Sequence, residues 1–183
     1  MIHTLPRPLI AFVRLVDRMN YGVGRFAMYL LFALMAVLMW SSISKAFFNP
    51  SLWTLEMAQF LMVAYYILGG PYAMQMEAHV RMDLFYAKQS PKRRAVWDGF
   101  TVFALIFYML VLIWGAAESL GYSLGLTWDG IWPQIGRLER SPTAWRPYLW
   151  PIKLVMLIGF TLMLLQALSA FIRDIATIRG ETI

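Results

Sequence analysis

Residues Trp53 to Asp83 read WTLEMAQFLMVAYYILGGPYAMQMEAHVRMD, and the stretch from Met57 to Met76 carries no charged residue. At 1.5 Å per residue, a helix of that length measures about 30 Å, which matches the hydrocarbon core of a bilayer. We therefore predict a membrane-spanning helix over residues 57–76. The Gly69-Gly70-Pro71 sequence lies inside it, and we expect the helix to break there.

One face of this predicted helix carries polar and small residues instead of the apolar side chains that lipid favours. Steps of three or four residues bring to that face Glu56, Gln59, Val63, Tyr66, Gly70, Ala73 and Glu77. Small residues let two helices approach closely, and polar residues can hydrogen-bond across the contact. We expect this face to meet a protein partner. The alternative is that Glu56 and Glu77 mark the two aqueous ends of the span.

The composition is that of a membrane protein. Of the 183 residues 60% are hydrophobic and 14% are charged, whereas soluble domains have about 25% charged residues. The chain has no cysteine, which excludes disulfides, iron–sulfur clusters and thiolate zinc sites. The formal net charge is +6, but the basic residues flank hydrophobic runs, as membrane topology signals do. We therefore expect no nucleic-acid partner.

The hydrophobic pattern predicts one membrane domain over residues 1–183, all-α, with four transmembrane helices preceded by an amphipathic interfacial helix. The predicted spans are residues 26–43, 57–76, 99–117 and 154–172, and an outer loop rich in Gly, Pro and Trp covers residues 118–153. Residues 5–20 place apolar side chains on one face and arginines on the other, which suits a helix at the lipid headgroups. The alternative is that this apolar face packs on the protein's own spans.

The distribution of basic residues predicts the orientation in the membrane. Eleven of the 16 Lys and Arg residues lie in the N-terminal segment, the loop before the third span or the C-terminal tail. Because cytoplasmic segments are enriched in Lys and Arg, we expect both termini in the cytoplasm. The outer loop then lies on the opposite side of the membrane.

The residues give little support to an enzyme. His3 and His79 are the only histidines and neither lies in a predicted span, so axial ligands for an intramembrane haem are missing. There is no HExxH motif and no Gly-rich phosphate loop. The chain also lacks the related halves typical of autonomous transporters. We expect no catalytic, cofactor or metal site here, and interpret the chain as an accessory or scaffold subunit.

Three sequence runs sharpen this interpretation: WTLEMAQFLM from Trp53, HVRMDL from His79, and SPKRRA from Ser90. Together with SPTAWRPYLWPIK from Ser141, they resemble the small, DctQ-like membrane subunit of tripartite ATP-independent periplasmic (TRAP) transporters. The resemblance covers about residues 20 to 170. It departs from the family at Leu55-Glu56, where many members place two acids together.

The resemblance implies that the chain lies in the inner membrane of a bacterium, with its outer loop facing the periplasm. It also implies a division of labour. A large membrane subunit holds the sodium and substrate sites, and a periplasmic binding protein delivers the substrate, usually a carboxylate. The small subunit resembles a fixed scaffold that contacts the large subunit, the binding protein and lipid, with no cofactor of its own.

These expectations assign residues to three places. At the large-subunit interface we place Glu56, Gln59, Tyr66, Gly70 and Gln166. The cytoplasmic family motif comprises His79, Arg81 and Asp83. For docking of the binding protein we select Trp128, Arg137, Arg140, Trp145 and Arg146, because arginines beside tryptophans are typical of interfaces. The alternative for this last group is that it anchors the loop to lipid headgroups.

Two other classes stay open from the sequence. One is the small subunit of a tripartite tricarboxylate transporter, a different family of similar size. The other is a membrane-anchor or electron-transfer subunit, which absorbance from a haem or quinone would reveal. A neighbouring gene for a large permease of either transporter family would distinguish these classes.

Overall fold

The computed structural model describes residues 6–76, 91–127 and 134–179, and long helices dominate this part of the chain. The helices are α1 (Arg7–Phe47), α2 (Thr54–Gln75), α3 (Pro91–Ser123) and α4 (Trp150–Arg179). Between α3 and α4, the two-residue strands β1 (Leu126–Thr127) and β2 (Gln134–Ile135) pair antiparallel. The predicted all-α class is confirmed.

Three of the described helices are long and apolar enough to cross a membrane. These segments are Arg7–Phe47, Thr101–Ser123 and Trp150–Ala176. Helix α2 has 22 residues, or about 33 Å, and is long enough, but its Gln, Tyr, Gly and Pro residues lower its hydropathy. The structure thus gives three candidate spans where the sequence predicted four.

The predicted interfacial helix is not a separate element. Residues 7–47 form one helix of 41 residues, about 60 Å long and twice the thickness of the hydrocarbon core. Val13 and Val16 are buried inside this chain, whereas Arg14 and Arg18 are exposed. The middle of the apolar face therefore packs on the protein's own helices, as in the alternative that the sequence left open, whereas Leu9 and Met19 of that face stay exposed.

The predicted break in the second helix is also wrong. Helix α2 continues through Pro71 to Gln75. Proline has no amide hydrogen, so the carbonyl of Ile67, four residues earlier, loses its usual donor. The backbone of α4 approaches that carbonyl at Gly159, where an added Cβ would lie 3.1 Å from the oxygen of Ile67. Close neighbours on both sides hold α2 helical across its proline, since Gly24 of α1 lies against Tyr72.

Helix α4 is the centre of the packing, because it contacts α1, α2 and α3. Small residues are buried between these helices. Ala27 of α1 and Ala167 and Ala176 of α4 are almost fully buried. Large apolar side chains point outward instead, as Phe32 and Phe103 do. This inverted pattern suits a chain whose surroundings are lipid and other protein.

Candidate functional site

The loop between α3 and α4 folds back on itself and is tied to the end of α3. Gly125 has a φ of 61°, a conformation that favours glycine, and its carbonyl accepts the amide of Gly136 at 3.0 Å. Further along, the amide of Glu139 donates to the carbonyl of Ser123 at 2.9 Å. Residues 139–149 then close into a turn, in which the amide of Ser141 donates to the carbonyl of Pro147 at 2.9 Å.

A buried carboxylate connects this turn to α2. Glu56 lies in the first turn of α2 and only 5% of its surface is exposed. Its Oε1 accepts a hydrogen bond from the Ser141 hydroxyl at 2.8 Å and another from the Thr143 hydroxyl. We call these two hydrogen bonds the Glu56 contact. The N-terminal end of a helix favours a negative charge, which adds to the stability of a carboxylate here.

Hydroxyl groups connect α1 to α2 at the same end of the bundle. The Thr54 side chain is almost fully buried, and its Oγ1 lies 3.2 Å from the hydroxyls of both Ser41 and Ser51. The hydroxyl of Ser44 is 3.1 Å from that of Ser51. The end of α1, the start of α2 and the Glu56 contact therefore belong to one polar layer.

An ion pair fixes the loop to α4. Lys153 Nζ lies 2.6 Å from Glu139 Oε2 and also donates to the carbonyl of Ser119 at 3.3 Å. The Lys153 ammonium lowers the pKa of the Glu139 carboxyl below its ordinary value, although partial burial opposes that shift. Because the folded-state pKa is lowered, the pair stabilises the fold at neutral pH. That contribution is lost as the pH falls through the folded-state pKa.

Three arginines line one groove on the outside of this loop. The arginine groove, as we call it, has a volume of about 500 Å³ and is lined by Arg137, Leu138, Arg140, Arg146 and Tyr148. The Arg140 guanidinium carbon lies 4.4 Å from the centroid of the Tyr148 ring, and the same guanidinium donates to the Tyr148 hydroxyl. Arg146 has a φ of 52°, which is unusual for a residue with a side chain. The groove offers guanidinium donors to an anionic partner.

The structure thus brings together three of the five residues selected for docking. Arg137, Arg140 and Arg146 share the groove, and Trp145 is exposed on the same turn. Trp128 lies outside the described residues, as do His79, Arg81 and Asp83 of the predicted cytoplasmic motif.

The five residues selected for the large-subunit interface do not share one surface. Gln59 and Tyr66 are exposed on α2, and 67% of the surface of Tyr66 is accessible. Glu56 instead meets this chain's own loop, and Gly70 lies against Met163 of α4. The exposed side of α2 that carries Gln59 and Tyr66 also carries Leu55 and Met62.

Gln166, the fifth of these residues, is buried in a polar contact between α4 and α1. Its Oε1 accepts from Asn20 Nδ2 at 2.6 Å, and its Nε2 donates to Asp17 Oδ1 at 3.5 Å. Arg173, two turns further along α4, forms an ion pair with Asp17. Asp17 and Asn20 lie in the first half of α1, whereas Ser41 and Ser44, which belong to the polar layer with the Glu56 contact, lie near its end. The Gln166 contacts are therefore at the opposite end of the bundle.

Sequence reasoning missed Ser141, Thr143 and Asn20. Asn20 had a detectable signal, because it stands three residues after Asp17 on the same side of a helix. Ser141 and Thr143 lie in the run SPTAWRPYLWPIK that carries the resemblance, but nothing in that run indicates a contact with Glu56, since small hydroxyl residues are ordinary in loops. Within the described part of the chain, no three His, Asp or Glu side chains are close enough to hold a metal ion. The chemistry that this arrangement supports is recognition of an anionic partner.

A comparison with protein families identifies the family of the chain. The sequence pattern described as "Tripartite ATP-independent periplasmic transporters, DctQ component" matches residues 34–177, which is more than half of the chain. A search of curated proteins finds no match. The DctQ component is part of a transporter, and it works with a large membrane subunit and a periplasmic binding protein. The chain therefore belongs to the DctQ family of TRAP transporter subunits.

Proposed function

We propose that this chain is the fixed scaffold subunit of a sodium-driven TRAP transporter that takes up a carboxylate. In this role it braces the large membrane subunit and receives the periplasmic binding protein. The observation that carries the proposal is the arginine groove, because a loop tied to α2, α3 and α4 presents three arginines on one surface. Sodium and substrate are bound by the large subunit.

The brace is the exposed side of α2. Leu55, Met62 and Tyr66 are large apolar or aromatic residues that this chain leaves uncovered, with Gln59 among them. Apolar side chains alone would suit lipid equally well, but the amide of Gln59 among them can hydrogen-bond across a helix contact in the membrane, which favours a protein partner. The large subunit is the partner that fits it.

We also propose that α2 is a fourth span and that both termini are cytoplasmic. Helix α2 is packed between α1 and α4, and its length matches the hydrocarbon core. The Lys and Arg distribution supports a cytoplasmic location for the end that carries Asp17 and Arg173.

Cysteine labelling tests this topology, because the natural chain has no cysteine. We expect an impermeant thiol reagent to label Ala144→Cys in intact cells and to label Ser90→Cys only after the membrane is opened. Labelling of Ser90→Cys from outside, or protection of Ala144→Cys, would contradict the proposed orientation.

Charge reversal tests the docking role. We expect Arg137→Glu combined with Arg140→Glu to weaken binding of the system's own binding protein by about tenfold or more, because complementary charge accelerates association by such factors. The loss should be largest at low ionic strength, where charges are least screened. The measurement is surface plasmon resonance on the assembled membrane complex over a range of salt concentrations.

Lys45→Glu is the matched control for this experiment. Lys45 is exposed in the last turn of α1, at the same end of the bundle, but it is outside the groove. It should leave binding nearly unchanged. Equal binding by the wild type and the arginine variant at every salt concentration would favour the lipid-headgroup alternative.

A further inference from the structure

Glu56 occupies an environment that is costly for a carboxylate. The residue is buried, its Oε1 accepts both hydroxyl hydrogen bonds, and its Oε2 has no partner within the described part of the chain. A buried polar atom without a hydrogen bond lowers the stability of the fold. A buried carboxylate at this position therefore needs a reason beyond the stability of α2.

The loop contacts supply that reason. Ser141 follows Arg140 directly, and the amide of Ser141 closes the turn by donating to the carbonyl of Pro147 at 2.9 Å. Arg146 lies inside this closed turn, with its backbone in the left-handed region. By holding Ser141 and Thr143, Glu56 fixes the first half of the turn, next to Arg140, and the bond from Ser141 to Pro147 connects this half to the residue that follows Arg146.

The other contacts of the loop do not tie this turn to a helix. The Glu139–Lys153 pair and the bond from Glu139 to Ser123 hold the base of the loop, before the turn begins. Tyr148 contacts the side chain of Arg140, and the backbone hydrogen bonds from Ser141 to Pro147 and from Leu149 to Glu139 close the turn within the loop without reaching a helix. Among the described residues, Glu56 is the side chain outside the loop that hydrogen-bonds to side chains within this turn.

We propose that Glu56 is a positioning residue for the docking surface, and this inference rests on the proposed function. The Glu56 contact sets the turn so that Arg140 and Arg146 line the same groove. It thereby determines the affinity for the binding protein without touching that protein.

The test compares three changes in the assembled transporter. Glu56→Gln keeps an oxygen that can accept both hydrogen bonds, Glu56→Leu removes the acceptor, and Ser141→Ala with Thr143→Val removes the donors. We expect the last two to raise the Kd for the binding protein by about tenfold, which corresponds to about 1.4 kcal/mol at 25 °C. Uptake at saturating binding protein should stay near that of the wild type. Glu56→Gln should bind within about twofold of the wild type, a change of about 0.4 kcal/mol.

A spin label on Ala144→Cys gives a second readout that does not depend on docking. Ala144 is exposed and lies within the turn. Its label should become more mobile with Glu56→Leu and with the Ser141/Thr143 variant, but not with Glu56→Gln. Ser42→Ala is the control, because Ser42 is exposed near the end of α1 and its hydroxyl donates to the carbonyl of Leu38 within its own helix. It should change neither the label's mobility nor the Kd.

The outcomes separate this inference from the proposed function. If the arginine charge reversal leaves binding unchanged, the docking role itself fails. If the arginine variant weakens binding but the Ser141/Thr143 variant binds normally with an immobile label, the inference is wrong and docking stands. Binding by Glu56→Gln as weak as by Glu56→Leu would also overturn it, since the hydrogen bonds would then not explain the effect. The loop variant leaves α2 intact, so it decides the matter even if Glu56→Leu fails to fold.

Discussion

Replacement of Gly159 by valine is expected to destabilise the chain by about 1–3 kcal/mol, the usual cost of adding bulk to a well-packed contact. An added Cβ would overlap Cγ2 of Ile67 and would lie 3.1 Å from its carbonyl oxygen and 3.3 Å from its carbonyl carbon. A side chain can rotate away, but a backbone carbonyl cannot. Helix α4 would therefore move away from α2.

The consequence should extend beyond this one contact. Separation at Gly159 also loosens the neighbouring contact between Gly70 and Met163, where an added Cβ at Gly70 would be 3.2 Å from the Met163 sulfur. Helix α2 would lose support on the side where the Ile67 carbonyl lacks its amide donor. We expect a lower midpoint of thermal unfolding for the purified chain in detergent, measured by circular dichroism.

Gly115→Val is the matched control for Gly159→Val. Gly115 lies within α3, and a Cβ there would meet nothing within 4 Å. Valine has a somewhat higher helix propensity than glycine, so this variant should unfold at or slightly above the wild-type temperature. If both valine variants unfold at the same temperature, the close approach of α4 to α2 is not a stabilising contact.

The second large effect is expected at the polar contact between Asn20 and Gln166. Both side chains are at most 2% exposed, and Asn20 Oδ1 has no hydrogen-bond partner in the described part of the chain. Gln166→Leu also removes the oxygen that accepts the hydrogen bond from Asn20 Nδ2. Both polar atoms of the Asn20 amide then lack the hydrogen bond that a buried amide needs. Leaving a buried polar group unsatisfied costs about 1–3 kcal/mol. Interhelical hydrogen bonds within membranes average about 0.6 kcal/mol, which sets the lower end of the expected loss.

A double-mutant cycle tests this coupling. Asn20→Leu and Gln166→Leu should each lower the free energy of unfolding, whereas the two together should cost less than their sum, because no stranded amide remains. Thr161→Val is the control, since Thr161 is exposed and its hydroxyl bonds only within its own helix, to the carbonyl of Leu157. If the double variant loses as much free energy of unfolding as the two single variants together, the hydrogen bond does not couple Asn20 to Gln166.

Much of the helical structure could be predicted because its signals are local. The predicted spans 26–43, 99–117 and 154–172 all fall inside observed helices, and 57–76 differs from α2 by a few residues at each end. The face of α4 that carries Gly159, Met163, Gln166 and Arg173 was visible as a periodic pattern, and those residues contact α1 and α2. Helical spacing and the length of an apolar run depend only on neighbouring residues.

The two errors in the helices arose where distant residues overrule local signals. A Gly-Gly-Pro sequence favours a break, but α2 continues because α1 and α4 support it on both sides. Residues 5–20 have the pattern of an interfacial helix, but Val13 and Val16 are buried in the continuous helix α1. Their pattern shows an apolar face without showing what covers it.

The sequence by itself determined an all-α membrane chain, its family features and the group of arginines in the loop before the last helix, because composition, length and motif are properties of the chain read in order. Only the tertiary structure decided which polar residues face inward. Glu56 and Gln59 are three residues apart on one predicted face, but Glu56 is buried beneath Ser141 and Thr143, whereas Gln59 is exposed. The two partners of Glu56 are 85 and 87 residues away in the chain. Hydrogen bonds between such distant residues depend on how the helices are arranged in space, and no local pattern encodes that arrangement.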